Sequence, residues 1–132
     1  MLHLTKVAVG CPDIATLTRR QHEYWGDDLC HLTRFMPKQA DALIGGSLFW
    51  IIAHRLVARQ PITGLTMVQT EWGVKCRIGL GAPPVPVDSL PTRAHPGWRY
   101  LAADAAPPDL AHRDETAMPA GMVRELQALW LM

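Results

Sequence analysis

The sequence lacks the signatures of the common nucleotide-hydrolysing, acyl-transfer and metal-dependent enzymes. It contains no phosphate-binding Walker loop, no Gly-x-Gly-x-x-Gly fingerprint and no Gly-x-Ser-x-Gly nucleophile elbow. Its six histidines are scattered, and none forms a His-x-x-x-His or Glu-x-x-His pair on one helical face. The pattern therefore predicts no metal site and no cofactor. No catalytic residue follows from a motif, and enzymatic activity stays open.

Cysteines are few, and long hydrophobic segments are absent. Cys11, Cys30 and Cys76 are odd in number and widely spaced, which is typical of free thiols in a reducing compartment rather than of a disulfide framework. The longest hydrophobic stretch, residues 43–53, is much shorter than the roughly 20 residues needed to span a bilayer. The first residues do not form a secretory signal. We therefore predict a cytoplasmic protein without a membrane partner.

The length and composition of the sequence are typical of a small globular protein. The 132 residues are 48% hydrophobic and 19% charged, which favours a single folded domain over residues 1–132. Alternation and turn residues predict an α+β fold, with a small antiparallel sheet that could close into a barrel and one helix near each terminus. The predicted helix at the start covers residues 13–25, capped by Asp13, with an apolar face that includes Leu17, Tyr24 and Trp25. The predicted strands cover residues 2–9, 32–36, 47–52, 55–60, 62–69, 74–80 and 98–101, with edge pieces near 85–87.

The strands at 47–52 and 55–60 are predicted to form a hairpin around a two-residue turn at Ala53 and His54. In that register Ile52 lies opposite Arg55, and Leu48 lies opposite Arg59. A wider turn, or one long bent strand, is the alternative because neither turn residue is Gly or Asn.

The end of the chain predicts a second helix. Pro119 suits a first helical turn, and an apolar stripe follows it. This helix should dock on the body of the protein; alternatively, it contacts a protein partner or a second copy.

Charge is segregated along the chain although the net charge is only +1. Residues 29–101 form a basic, β-rich module with a balance of +5, whereas residues 102–132, the linker and terminal helix, carry −3. Arginine is favoured where a planar group grips phosphate or stacks on a ring. Basic grooves with aromatic rings hold single-stranded nucleic acid.

We therefore predict an RNA- or nucleotide-like anion-binding module in which basic side chains meet phosphate and an indole stacks on a base. The predicted ligand-binding residues are Arg34, Lys38, Arg59, Arg93, Trp98 and Arg99. Trp50, inside an apolar strand, is predicted to be core. Solvation of a sheet face, or pairing with the acidic tail, is the alternative explanation for the arginines.

An enzymatic alternative places Lys38, Thr33 and Glu71 together in a small pocket, as nucleophile activator, polar contact and general base. Nothing in their spacing requires this arrangement. A protein–protein adaptor that uses the terminal helix is a third possibility.

Four ordered blocks carry a resemblance to a known family. Residues 33–38, 45–52, 58–62 and 97–101 resemble the bacterial domain of unknown function 1489 family, and the resemblance covers nearly the whole chain. That family usually has a Lys-Gly turn where this chain has Ala53 and His54. The resemblance implies a fold and no reaction.

The sequence is also similar to the PUA-like superfamily, which includes the ASCH and EVE domains. The similarity lies in the order of three features: a Thr-x-Arg-like strand, a glycine-rich turn and a pair of hydrophobic strands. That similarity implies a small β-barrel that binds RNA or modified nucleobases, or, as in some ASCH members, a small hydrolase acting on a modified nucleoside. A shared fold does not by itself assign either function.

Overall fold

A computed structural model describes residues 2–26 and 29–110, and within these residues the predicted α+β class is confirmed. The predicted C-terminal helix lies outside the described residues. The helices are α1 (Ile14–Trp25) and α2 (Ala40–Leu43), and a short 3₁₀ turn covers Ala103–Ala105. The strands are β1 (Leu2–Val7), β2 (Cys30–Thr33), β3 (Ser47–Ile52), β4 (Arg55–Thr70), β5 (Gly73–Leu80), β6 (Val85–Pro91) and β7 (Trp98–Ala102).

All seven strands belong to one sheet. Its order is β2-β5-β4-β3-β1-β7, and β6 pairs with β4 beside this path. Within the described residues the sheet is open, so the predicted closure into a barrel is not confirmed. The sheet is also not purely antiparallel, because β1 and β3 run parallel. A parallel pair needs a crossover connection, which the chain between β1 and β3 provides with α1.

The core has two parts, one on each side of the sheet. On the side that α1 covers, which we call the helix face, Leu4, Leu48 and Ile78 belong to the larger buried cluster. On the other side, the opposite face, Phe49 and Val87 belong to a smaller one. Because neighbouring residues of a strand point to opposite sides, β3 contributes to both clusters, with Leu48 in the larger and Phe49 in the smaller.

Helix α1 begins and ends where the sequence predicts. The Asp13 carboxylate accepts a hydrogen bond from the Thr16 backbone N–H at 2.7 Å, which stabilises the first turn. Leu17 is buried, and Trp25 packs against the core. Tyr24 was expected on the same apolar face, but its side chain is 67% exposed and makes an edge contact with Trp25. The periodicity does place Tyr24 on the Leu17 side of α1, and there its exposed ring lines the space between the helix and the sheet.

The β3–β4 hairpin has the predicted two-residue turn but not the predicted register beyond it. Ala53 and His54 both have positive φ, and Ile52 lies opposite Arg55. A bulge between Trp50 and Ile51 then shifts the pairing by one residue. Leu48 consequently lies opposite Gln60 instead of Arg59. A shift of one residue moves a side chain to the other side of the sheet, so Arg59 lies on the opposite face and Gln60 on the helix face.

The two strands predicted at 55–60 and 62–69 are one continuous strand, β4, which passes through Pro61. The first part of β4 pairs with β6, and the part from Ile62 onward pairs with β5. Pro61 lies where β4 changes its partner strand. Its carbonyl accepts a hydrogen bond from the Gly81 N–H. Because proline has no backbone N–H, the sheet loses only one possible hydrogen-bond donor at this position. A proline at such a position need not end a strand.

Candidate functional site

A cleft of about 600 Å³ lies between α1 and the helix face of the sheet. We call it the α1 cleft. Lys6 of β1, Trp50 of β3 and His31 of β2 line it from the sheet, and Gln21 and Trp25 line it from the helix. The cleft therefore combines aromatic walls with a small number of polar groups, as small-molecule sites commonly do.

Lys6 is the most unusual of these residues, because it occupies the buried phase of its strand. Leu4 and Ala8, on the same side of β1, are core residues. The Lys6 side chain is half-buried, and burial lowers the pKa of its amine. No carboxylate of residues 2–26 or 29–110 forms an ion pair with it.

Lys6 lies between two tryptophans in the sheet register. Trp50 is its partner in the parallel β1–β3 pair, and Trp98 is its partner in the antiparallel β1–β7 pair. Paired residues of neighbouring strands point to the same side of a sheet. A cation and two indoles therefore share the helix face.

His31 is an uncharged ring at neutral pH. Burial, and to a smaller extent the positive charge of Lys6, lower its pKa to about 4. The ring packs edge-on against Trp50, with 5.7 Å between centroids. Its Nε2 atom is buried and has no hydrogen-bond partner in the described part of the chain.

Hydrogen bonds of the Gln60 side chain stabilise two residues that line the α1 cleft, Gln21 and Trp50. The Gln60 side chain is fully buried, and its Oε1 accepts hydrogen bonds from Gln21 Nε2 and Trp50 Nε1, both at 2.7 Å. Its Nε2 donates to Gln21 Oε1 at 2.8 Å and to the Gly81 carbonyl at 3.2 Å. All four hydrogen-bonding positions of the amide are thus used, which fixes the Trp50 ring and α1 relative to the sheet.

Arg20 of α1 lies at the edge of the cleft. Its Nη1 donates to the Gly10 carbonyl at 2.8 Å and contacts Cys11 Sγ at 3.5 Å. Glu23, which also lines the cleft, is 3.9 Å from Arg19 in an exposed pair that contributes little. The guanidinium of Arg20 is therefore held in place by the backbone and not by a carboxylate.

One of the six predicted binding residues, Trp98, lies on the helix face, and two others lie in a loop that contacts Tyr100 of the same face. Trp98 packs against the helix-face core and contacts Tyr100 edge-on at 5.0 Å. The Tyr100 hydroxyl accepts from the Gln39 backbone N–H at 3.1 Å, which brings the loop after β2 beside β7. Lys38 is exposed in that loop, and so is Arg34 at its start, where its guanidinium lies 5.3 Å from the centre of the Phe35 ring.

The other three predicted residues are placed differently. Arg99 lies on the opposite face, because it pairs with Thr5 and its neighbour Trp98 points the other way. Arg59 makes two hydrogen bonds with the Asp109 carboxylate, at 2.6 and 2.8 Å, and another with Ser47. This carboxylate raises the pKa of Arg59 and compensates its charge.

Arg93 is exposed in the loop between β6 and β7. His95 of the same loop is buried and hydrogen-bonded to Thr5 at 2.8 Å, which attaches the loop to the opposite face of β1. The structure thus divides the predicted set between two sides of the sheet.

Sequence reasoning missed Lys6, Gln21, His31 and Gln60. A usable signal exists for two of them. Lys6 falls in the apolar phase of β1, after Leu2 and Leu4. Gln60 falls in the apolar phase of β4, between Ala58 and Ile62. A polar residue in the buried phase of a strand is uncommon and needs a hydrogen-bonding or functional reason.

The residues of the enzymatic alternative are not connected. Lys38 is in the loop beside Tyr100, Thr33 pairs with Cys76, and Glu71 is exposed in the turn between β4 and β5. Within the described ranges, Lys38 and Glu71 form no ion pair. The adaptor alternative concerns a helix outside those ranges, and both alternatives stay predictions.

No disulfide bond joins the three cysteines, all of which belong to the described residues. In the portion of the chain that the structure describes, no three His, Cys, Asp or Glu side chains are grouped so that they could hold a metal ion. None of the helices described there has the length and hydrophobicity needed to cross a membrane.

Comparisons with known proteins give one result. A family model described as "Protein of unknown function (DUF1489)" matches residues 4–132. No curated protein and no solved structure matches the chain. The similarity to PUA-like domains therefore receives no support from these comparisons.

Proposed function

The chain belongs to the DUF1489 family of proteins of unknown function, and we propose that it binds single-stranded RNA or a nucleotide-like anion on the helix face. A planar base enters the α1 cleft or stacks on Trp98, and the attached phosphate meets the basic side chains nearby. The observation that carries this proposal is the line of Trp50, Lys6 and Trp98 across three strands.

The base-binding part of the proposal rests on shape and polarity. A volume of about 600 Å³ is in the range of pockets that hold small organic ligands. Trp25 and Trp50 supply apolar walls, and the Lys6 amine supplies a hydrogen-bond donor for a ring carbonyl or nitrogen. Any base can stack on an aromatic ring, so we expect the protein to show only a modest preference for RNA sequence.

The phosphate-binding part rests on exposed cations around the same face. Arg20 lies at the cleft edge, and Lys38 lies in the loop joined to Tyr100. Arg34 is exposed at the start of that loop. We do not assign Arg59 to this role, because its guanidinium is hydrogen-bonded to Asp109, nor Arg99, because it points to the opposite face.

The test measures binding of a fluorescein-labelled single-stranded RNA of mixed sequence by anisotropy, over a series of salt concentrations. Trp98→Ala should weaken binding about tenfold, because loss of one stacked base contact costs about 1–3 kcal/mol. Lys38→Gln should weaken binding and lower the slope of log affinity against log salt by about one.

Two matched controls make the test specific to the helix face. Arg99→Gln removes one positive charge from the opposite face, and Lys75→Gln removes one from β5, where Lys75 lies opposite Val68. Both should leave binding within about twofold, because neither side chain lies on the helix face, where the RNA is proposed to bind. Equal losses in Lys38→Gln and Arg99→Gln would contradict the proposed surface, and no binding by the wild-type protein would contradict the proposed function.

A further inference from the structure

We infer that Lys6 is a nucleophilic amine and that the α1 cleft takes a small aldehyde or ketone, which Lys6 binds covalently as a Schiff base. This inference does not depend on RNA binding. It concerns the one lysine of the chain whose side chain lines the cleft.

Lys6 is placed in the way that such an amine requires. Its strand position is a core position, and Trp50 and Trp98 lie on both sides of it in register. Lysines act as Schiff-base nucleophiles when an apolar pocket removes water from the ammonium group. The lowered pKa of Lys6 has this cause.

Within the described residues, Glu23 is the carboxylate that lines the cleft, and it is paired with Arg19 and not with Lys6. A nearby carboxylate would stabilise the ammonium form, but within the described residues none is paired with Lys6. His31 is neutral, and the Arg20 guanidinium adds positive charge at the edge. The titratable side chains that line the cleft with Lys6 are Cys11, Arg20, Glu23, Tyr24, Cys30 and His31.

The reaction needs no oxidant, reductant or other reactant. The lone pair of Lys6 Nζ forms a bond to the carbonyl carbon, and the carbonyl π electrons move to its oxygen. That oxygen takes up a proton as Nζ loses one, giving a carbinolamine. The nitrogen then loses its second proton, the C–O bond breaks, and one water leaves as the C=N bond forms. Glu23 and Tyr24 are exposed at the mouth of the cleft, so water reaches it and can carry these protons.

The other lysines of the chain serve as internal comparisons for the reactivity of Lys6. The chain contains only three lysines, Lys6, Lys38 and Lys75, and Lys38 is exposed in its loop. An amine with a lowered pKa has a larger fraction in the free, reactive form at neutral pH. A reagent that traps imines therefore measures the reactivity of Lys6 against two lysines of the same molecule.

The experiment treats the full chain at neutral pH with pyridoxal, and in parallel with pyridoxal 5′-phosphate, for a series of times. Borohydride reduces the imines to stable amines, and peptide mass spectrometry assigns the label to each lysine and to the N-terminal amine. Lys6 should be labelled several-fold faster than Lys38 and Lys75 by both reagents. Its labelling should also reach half of its maximum at a lower pH in the folded than in the unfolded protein.

Unfolding the protein in concentrated guanidinium chloride should abolish the difference, because the cleft no longer exists. Lys6→Arg keeps a positive charge but cannot form the imine, and labelling at the other two lysines should be unchanged. Labelling of Lys6 no faster than that of Lys38, or fast labelling by the phosphate-bearing reagent alone, would overturn the inference. The second outcome would indicate attraction of an anion and not nucleophilicity. Failure of RNA binding would leave the labelling result unaffected, so the two proposals are tested separately.

Discussion

Gln21 on α1 and Gln60 on β4 form a reciprocal pair of amide hydrogen bonds, 2.7 and 2.8 Å long, that joins the helix to the sheet. Because Gln60 also accepts from the Trp50 indole N–H, one buried amide fixes both a wall of the α1 cleft and the helix above it. The cleft is therefore shaped before any ligand arrives, which lowers the entropic cost of binding.

We predict that Gln60→Leu lowers the free energy of unfolding by about 3 kcal/mol. The substitution leaves the Trp50 N–H and the Gly81 carbonyl without their partner, and buried polar groups left unpaired cost about 1–3 kcal/mol each. Gln21→Leu should cost only about 1 kcal/mol, because Gln21 is partly exposed and water can reach the helix edge. Urea denaturation followed by tryptophan fluorescence measures both values. Equal destabilisation by the two substitutions would show that the pair, and not the whole network, carries the stability.

Acid should destabilise the protein through His31. The pKa of this ring is about 4 in the folded protein, against an ordinary value of 6.5. Above pH 6.5 the ring is neutral in both states. Between pH 6.5 and 4 the unfolded chain takes up a proton that the folded protein does not, so stability falls as the pH falls, by up to about 3 kcal/mol.

His31→Leu should remove most of this acid dependence between pH 7 and 4, measured as urea midpoints at each pH. The matched control is His22→Leu, which removes an exposed histidine from α1 and should keep the wild-type dependence. An unchanged slope in His31→Leu would mean that another group titrates.

The β3–β4 turn offers a stabilising substitution. Ala53 and His54 have φ angles of 51° and 60°, a region that costs most L-residues about 1 kcal/mol or more. The two-residue turn with positive φ at both positions favours Asn followed by Gly. The double change Ala53→Asn and His54→Gly should raise the free energy of unfolding by about 1 kcal/mol. His54→Val, with a branched side chain, should lower it by a similar amount in the same denaturation assay.

Arg59 is predicted to stabilise the fold and not to bind ligand. Its pair with Asp109 is mostly enclosed, with 27% and 31% of the two side chains exposed. Asp109→Asn should therefore lower the free energy of unfolding by about 1 kcal/mol, and less in high salt. Arg59→Ala should destabilise similarly while leaving RNA affinity, corrected for the folded fraction, within about twofold. A selective loss of RNA affinity in Arg59→Ala would show that this residue belongs to the binding surface.

The secondary structure was largely accessible from local sequence. The Asp13 cap and the positions of β3, β5 and β7 follow from short-range rules, because a cap, a turn glycine such as Gly73 or an alternating run acts on its own neighbours. The parallel pairing of β1 with β3, and the passage of β4 through Pro61, did not follow. Both depend on partners distant along the chain.

The candidate site was accessible only in part. Residue type alone predicted Trp98, Lys38 and Arg59. Trp98 lies on the helix face and Lys38 is exposed in a loop next to Gln39, whereas Arg59 is paired with Asp109. Fifty residues separate Arg59 from Asp109, and no local pattern predicts their contact. Lys6 carried a local signal, its place in an apolar phase, but its neighbours Trp50 and Trp98 come from two other strands.

The sequence by itself determined the α+β class, the capped helix and the positions of most strand-forming segments, since these depend on periodicity and turn chemistry over a few residues. Only the tertiary structure determined which positively charged side chains remain available to bind a ligand. One bulge between Trp50 and Ile51 sends Arg59 to the opposite face and Gln60 to the helix face. A single-residue shift reverses the direction of every side chain beyond it, and its position depends on how the two strands pack.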